Sequence, residues 1–300
     1  MIYSPSLTEL WKFCPLKAHL QRIEMLEPVV NRNLLARLAG TAIAEAVTVL
    51  HREWQRTGAD VVPAPYIIAA AKERGTKYLS LSATHYQVCG VQVEQGTVDN
   101  KLLEIQRVIE RYAKAMPLAG YTIVDVEREL PQYGRCRIDL GVITPGKDYA
   151  IADVKYKANL DAKYRESTIN EYLDSWQFEH YAWAYEETIG KPVPLKYLLM
   201  ITMRPSFAID LIPREVDREW QKVWKQSAEV TWKDMTEERQ GTRPMGISAV
   251  HKSNFGPCEM RGVCFDYKLD VDRATEKDYV RVPQFDFELA LTRDAEQPSQ

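Results

Sequence analysis

The chain has 300 residues, a formal net charge of −3, 45% hydrophobic and 10% aromatic residues. That composition excludes a wholly disordered chain and leaves one large domain or two small ones, with enough length to bury a sizeable core. The near-neutral balance provides no global basic field for a polyanion, although a basic cleft can act locally in a neutral protein.

In chain order, Ser6-Leu-Thr-Glu9 fits a capping box and predicts a helix from about Leu7. Proline at Cys14-Pro15 should interrupt it, because proline cannot sit cleanly in a helix interior. Residues 32–56 repeat apolar positions three and four apart and predict a helix, as do 65–80 and 98–116, with 82–96 ambiguous. The character then changes. "YTIVDVEREL" (121–130), "GRCRIDLGVIT" (134–144) and "DYAIADVKYK" (148–157) are short, β-rich and separated by turn residues, which predicts a three-strand antiparallel meander.

A long helix is expected over roughly 165–189, strands over 195–204 and 206–213, and an amphipathic helix over 214–238 carrying Trp220, Trp224 and Trp232. A polar loop, a cysteine-containing segment at 251–270 and a tail ending "RDAEQPSQ", expected to be disordered, complete the chain. The layout is α+β: a helical region over 1–118 with Cys14, a mixed core over 119–240, a cysteine segment over 241–290 and a tail over 291–300. The first and last segments can pack together around one sheet.

No stretch approaches the roughly 20 apolar residues of a membrane span, and "MIYSPSLTEL" lacks the regions of a signal peptide. A cytoplasmic protein without membrane partners is expected. Five cysteines, Cys14, Cys89, Cys136, Cys258 and Cys264, are odd in number and too sparse for a disulfide scaffold. Free thiols or metal ligands fit better.

Chemistry concentrates in the meander. Asp153 and Lys155 lie two apart in the third strand and so face the same side, while Asp139 sits in the strand across the turn. Two carboxylates converging at the end of an apolar sheet repel unless a cation lies between them, and oxygen ligands suit Mg²⁺ or Mn²⁺. A lysine beside that cation can orient water and steady negative charge developing on a phosphate. The alternative is a surface hairpin with a solvated Asp–Lys pair. Gln177 and Tyr181, four apart on the following helix, share one face; alone, that pair is an ordinary amphipathic feature.

Asp139, then Asp153-x-Lys155 after thirteen intervening residues, then Gln177-x-x-x-Tyr181, together resemble the RecB-like branch of the PD-(D/E)XK nucleases, which includes CRISPR-associated exonucleases. "SPSLTELWKFCP" near the start is similar to the opening of many of these proteins, and the resemblance runs from residue 4 to about 264. It implies a restriction-endonuclease-like core and a metal-dependent deoxyribonuclease, with exonuclease action on single strands or duplex ends more expected than sequence-specific cutting. Asp139, Asp153 and the backbone carbonyl of Val154 would hold the metal. Lys155 would position the attacking water, and Gln177 and Tyr181 would orient the lysine, the metal site or the DNA. Recombination, repair, phage DNA processing or CRISPR adaptation would supply partner proteins, and the oligomeric state is not implied.

The sequence departs from that branch twice. The branch places a metal-binding histidine four residues after a helix glycine; after Gly40 that position is Ala44. Glu45 follows, rotated by about 100°, and His51 lies about 10 Å further along the axis. Glu45 supplies the ligand, or two carboxylates and water suffice, or the site is weakened. Relatives also clamp their ends with a [4Fe–4S] cluster on four cysteines. Cys14, Cys258 and Cys264 match three of those positions, with Phe255 and Asp270 where the fourth could stand. Arg135, Arg137 and Lys157, along with Lys17, Lys163 and Arg165, are candidate phosphate contacts, and Tyr156 and Trp176 candidate stacking surfaces; ordinary solvation or core packing is the alternative for each. The rival to an enzyme is a nuclease-fold DNA-binding or assembly module that has lost activity.

Overall fold

The computed structural model describes residues 10–11, 14–22, 24–31, 33–130, 136–237, 260, 262–267 and 270–296. The elements begin with α1 (Pro15–Arg22), β1 (Leu26–Pro28), α2 (Leu34–Thr57), α3 (Pro65–Val88) and α4 (Gln95–Ala115). They continue with β2 (Thr122–Glu129), β3 (Arg137–Ile143), β4 (Tyr149–Lys157), α5 (Ala162–Leu173), α6 (Trp176–Ile189), β5 (Leu195–Thr202), β6 (Ala208–Glu215) and α7 (Arg218–Glu237). A π-helical turn (Gly262–Asp266), α8 (Val271–Thr275), β7 (Tyr279–Arg281) and α9 (Phe287–Glu296) close the chain. Two compact units result. One contains Ile43–Gly75 and Ile105–Gly241; the other contains Leu10–Ala42, Thr76–Glu104 and the described part of Thr242–Gln300.

The first unit is built on a five-stranded sheet in the order β2-β3-β4-β5-β6. The meander β2-β3-β4 is antiparallel, as its turn residues predict. β4 and β5 are parallel, and β6 returns antiparallel to β5. A parallel step needs a crossover, and α5 and α6 supply it. β4 lies in the middle of the sheet, which is why Ala150–Val154 form an unbroken buried run.

The single helix expected over 165–189 is two helices. Ser175 accepts a hydrogen bond from the Phe178 N–H and starts α6 afresh, and α6 ends on Gly190 at φ 63°. A serine side chain that caps the next turn competes with continuation of the previous helix. α6 lies close on β3: a methyl group at Gly141 would collide with the phenol oxygen of Tyr185. That oxygen donates to Asp125 Oδ2 at 2.6 Å. Ile138, Ile151, Phe178, Tyr185, Leu198 and Met200 belong to the core between sheet and helix.

The ambiguous stretch at 82–96 is the end of α3, a turn through Gly90 at φ 94°, and the start of α4. Contrary to expectation, among the described residues one helix is apolar and long enough to cross a membrane by length and composition. It is α2, at mean hydropathy 1.3, and 56% of that window is buried within the protein, as in a core helix.

In the second unit β1 and β7 pair antiparallel, Leu26 opposite Arg281 and Pro28 opposite Tyr279. Their core includes Leu16, Leu20, Leu26, Met260, Val263 and Tyr267. α9 reaches Glu296, so the last ten residues, expected to be disordered, begin as helix, with the Asp286 side chain accepting from the Leu289 N–H. The helix predicted from Leu7 lies largely outside the described residues.

Candidate active site

Register fixes the central feature. The β3–β4 ladder ends where Leu140 pairs with Ala152, and Asp139 and Asp153 are the next residues on the two strands. On the other side Val126 pairs with Leu140 and Arg128 with Ile138, and Glu127 and Asp139 lie between these two pairs. Glu127, Asp139 and Asp153 come from three adjacent strands, a row of carboxylates in which the Asp153 and Glu127 charges both raise the Asp139 carboxyl. Such a row is costly unless something positive answers it.

Asp153 is 1% exposed, and its Oδ1 has no hydrogen-bond partner among the described residues. Lys155 Nζ sits 2.5 Å from its Oδ2. Asp139 Oδ2 accepts from the backbone N–H of Val154 at 2.8 Å. Burial, and then the Asp153 carboxylate, push the Asp139 carboxyl up to about 7. Burial works against the charge on Lys155, but the Asp153 and Asp139 carboxylates outweigh it and raise its pKa.

α5 and α6 cover this face. Gln177 Nε2 donates to Tyr181 Oη at 2.5 Å, and Tyr181 is buried. Burial, followed by the nearby Asp153 and Asp139 charges, holds the phenol well above its ordinary value, so it keeps its proton. Tyr172 of α5 lies beneath Lys155 and Lys157, 5.9 and 5.2 Å from its ring centre. The structure thus brings together Asp139, Asp153, Val154, Lys155, Gln177 and Tyr181, with Lys157 beside them.

The candidate residues of α2 have partners of their own. Glu45 Oε2 accepts from Arg74 Nε and Nη2 at 3.0 and 2.7 Å, so its carboxylate is held by an arginine of α3. Its charge nevertheless reaches the Glu127 carboxyl, whose pKa it helps to raise. At Ala44, the carbonyl accepts from Thr48 Oγ1 at 2.9 Å, and the same hydroxyl lies 3.3 Å from Glu127 Oε1. His51 is a core residue: it is 2.7 Å from Tyr112 Oη, and burial lowers its pKa to about 3.

Glu127 was not among the residues singled out from sequence. Its only signal there is the alternation Asp125, Glu127, Glu129 along one strand. Its Oε2 lies 2.7 Å from Arg137 Nε. Burial, opposed by Arg137, raises its pKa. A second unanticipated pair, Lys196 of β5 and Glu179 of α6, forms an ion pair at 2% and 1% side-chain exposure. Burial raises the Glu179 pKa while Lys196 opposes it.

Arg135 and Cys258 lie outside the described residues, as does the Trp176 side chain. Cys14 belongs to the core of the second unit, and Cys264 is packed against that core. Cys136 is buried, its thiol pushed up to about 12 by that burial.

Two carboxylates drawn this close, one with an unsatisfied oxygen, suit a hard divalent cation that keeps several waters. Among the described residues no group of three or more His, Cys, Asp or Glu side chains is close enough to hold an ion. The fit to Mg²⁺ or Mn²⁺ therefore rests on the Asp139–Asp153 pair, with the remaining positions left to backbone, water and substrate.

A comparison with curated proteins found no match. A family profile described as the PD-(D/E)XK nuclease superfamily matches residues 2–265. The matched span contains the whole sheet, the carboxylate row, Lys155 and both crossover helices. Together with the mixed five-stranded sheet flanked by helices, this means that the chain belongs to the PD-(D/E)XK nuclease superfamily.

Proposed function

We propose that this protein is a cytoplasmic deoxyribonuclease of the RecB-like branch, acting as an exonuclease on DNA ends with Mg²⁺ or Mn²⁺. The observation that carries this is the convergence of Asp139, Asp153 and Lys155 on one sheet face beneath Gln177 and Tyr181. Asp139 and Asp153 would hold the ion, which when bound polarises the phosphate and neutralises charge on it. Lys155 orients a water against the phosphorus and steadies the negative charge that develops there. Tyr181, kept protonated, is a hydrogen-bond donor whose direction Gln177 sets. Water displaces the sugar oxygen in line, and the leaving oxygen takes a proton. Phage or mobile-element origin, with a role in recombination, repair, phage DNA processing or CRISPR adaptation, fits this activity.

The test compares linear and covalently closed DNA, labelled at either end, with Mn²⁺ or Mg²⁺. Degradation of linear DNA alone, lost in Lys155→Ala, is the expected result. Cutting of closed circles refutes the exonuclease assignment. Absence of cleavage with every metal refutes the enzyme and favours the second reading, a DNA-binding or assembly module. That reading draws on Ala44 and on the engagement of Glu45 by Arg74. A [4Fe–4S] cluster on Cys14, Cys258 and Cys264 is decided separately by iron and labile sulfide in anaerobically purified protein.

A further inference from the structure

We infer that Arg137 binds a phosphate next to the one that is cut, and that Glu127 is its positioning residue. This inference rests on the nuclease function proposed above. Arg137 lies two residues before Asp139 on β3, hence on the same face and about 7 Å along the strand. Its side chain is 55% exposed, yet its guanidinium is held by the Glu127 carboxylate, which is only 14% exposed. The other oxygen of that carboxylate is near Thr48. An exposed arginine gripped by a half-buried acid loses less conformational freedom when it meets an anion.

Glu127 also has φ 51°, a left-handed conformation that a side-chain-bearing residue in a strand adopts only when its surroundings enforce it. Backbone strain of this kind concentrates at functional sites. Its effect here is to set a carboxylate against Arg137. The electrostatics supply a need: a row of Glu127, Asp139 and Asp153 repels a polyanion. Lys155 and Arg137 are cations on the row's own strands that are ion-paired with its acids. Lys155 is spent on Asp153, whereas Arg137 presents an accessible fork suited to a phosphate.

The experiment measures binding of fluorescein-labelled single-stranded and duplex oligonucleotides in EDTA over a range of salt, together with the cleavage assay. Arg137→Ala should weaken binding at least fivefold and lower the log–log salt slope by about 0.7 to 0.9, the value of one phosphate contact. Glu127→Gln gives the decisive sign. Removing a negative charge near DNA should tighten binding if Glu127 only repels; if it positions Arg137, binding weakens two- to fivefold, and adds no weakening to Arg137→Ala.

Binding by Glu127→Gln that is unchanged or tighter overturns the positioning role. So does a loss of Mn²⁺ affinity without a change in metal-free DNA binding. Wild-type affinity in Arg137→Ala overturns the phosphate contact, while wild-type cleavage in the same preparation leaves the nuclease function standing. Should Glu127→Gln lose its thermal transition, the exposed Arg137→Ala and Arg137→Lys variants carry the test, the latter keeping the salt slope but not the full affinity.

Discussion

Asp139 accepts a 2.8 Å hydrogen bond from the backbone N–H of Val154, the residue between Asp153 and Lys155. That bond ties the carboxylate of one strand to the backbone of the next. The Asp139 carboxylate is therefore held beside Asp153 by the backbone of the neighbouring strand. A charged, preorganised pair of this kind responds to cations, to protons and to loss of its lysine, and each response can be measured.

Loss of Lys155 removes the ion-pair partner of a buried carboxylate. Lys155→Ala should lower cleavage by about 100-fold or more, the scale of a positioned catalytic group. It should also destabilise the metal-free protein by up to about 3–5 kcal/mol, because Asp153 is left charged and unpaired. Added Mn²⁺ should then raise the melting temperature of the variant more than that of wild type. An equal shift in the two proteins would mean that the ion does not bind at Asp153.

The proton on Asp139 gives a pH dependence with a definite sign. Its folded carboxyl titrates at about 7 against an ordinary 3.8, so between these values the folded state binds more protons than the unfolded state. Stability from this group is thus greatest at low pH and declines as pH rises towards 7. The metal-free protein should melt at a higher temperature at pH 5 than at pH 8, and Asp139→Asn should shrink that difference. Identical profiles for both proteins would rule this out.

The Glu179–Lys196 pair should behave as a buried structural unit. Either Glu179→Ala or Lys196→Ala alone should cost about 3–5 kcal/mol. Replacing both by apolar residues of similar volume should recover most of that loss, measured by urea denaturation. Additive single and double effects would show that the charges do not depend on each other.

Gly141 tests the seat of α6. Gly141→Ala places a methyl group against the Tyr185 phenol, which is already fixed by its 2.6 Å bond to Asp125. A loss of about 1–3 kcal/mol is expected from this overpacking. Because Tyr181 lies one turn earlier on the same helix, cleavage should fall as well. Unchanged stability would mean that α6 gives way without cost.

The sequence by itself determined the meander and the pairing of Asp153 with Lys155 on one face, because alternation along a strand is a local rule and turn residues mark its ends. It also determined that Gln177 and Tyr181 share a helical face, by the same kind of local periodicity. The division of 165–189 into two helices was obscured because Ser175 reads equally well as a helix residue until its side chain is seen capping Phe178. Only tertiary structure decided the rest. Glu127 becomes Asp139's neighbour through the register of β2 on β3, and Glu45 is drawn to Arg74 through the packing of α2 and α3. Those partners lie far apart in the chain or depend on a strained backbone angle, and no spacing along the sequence encodes them.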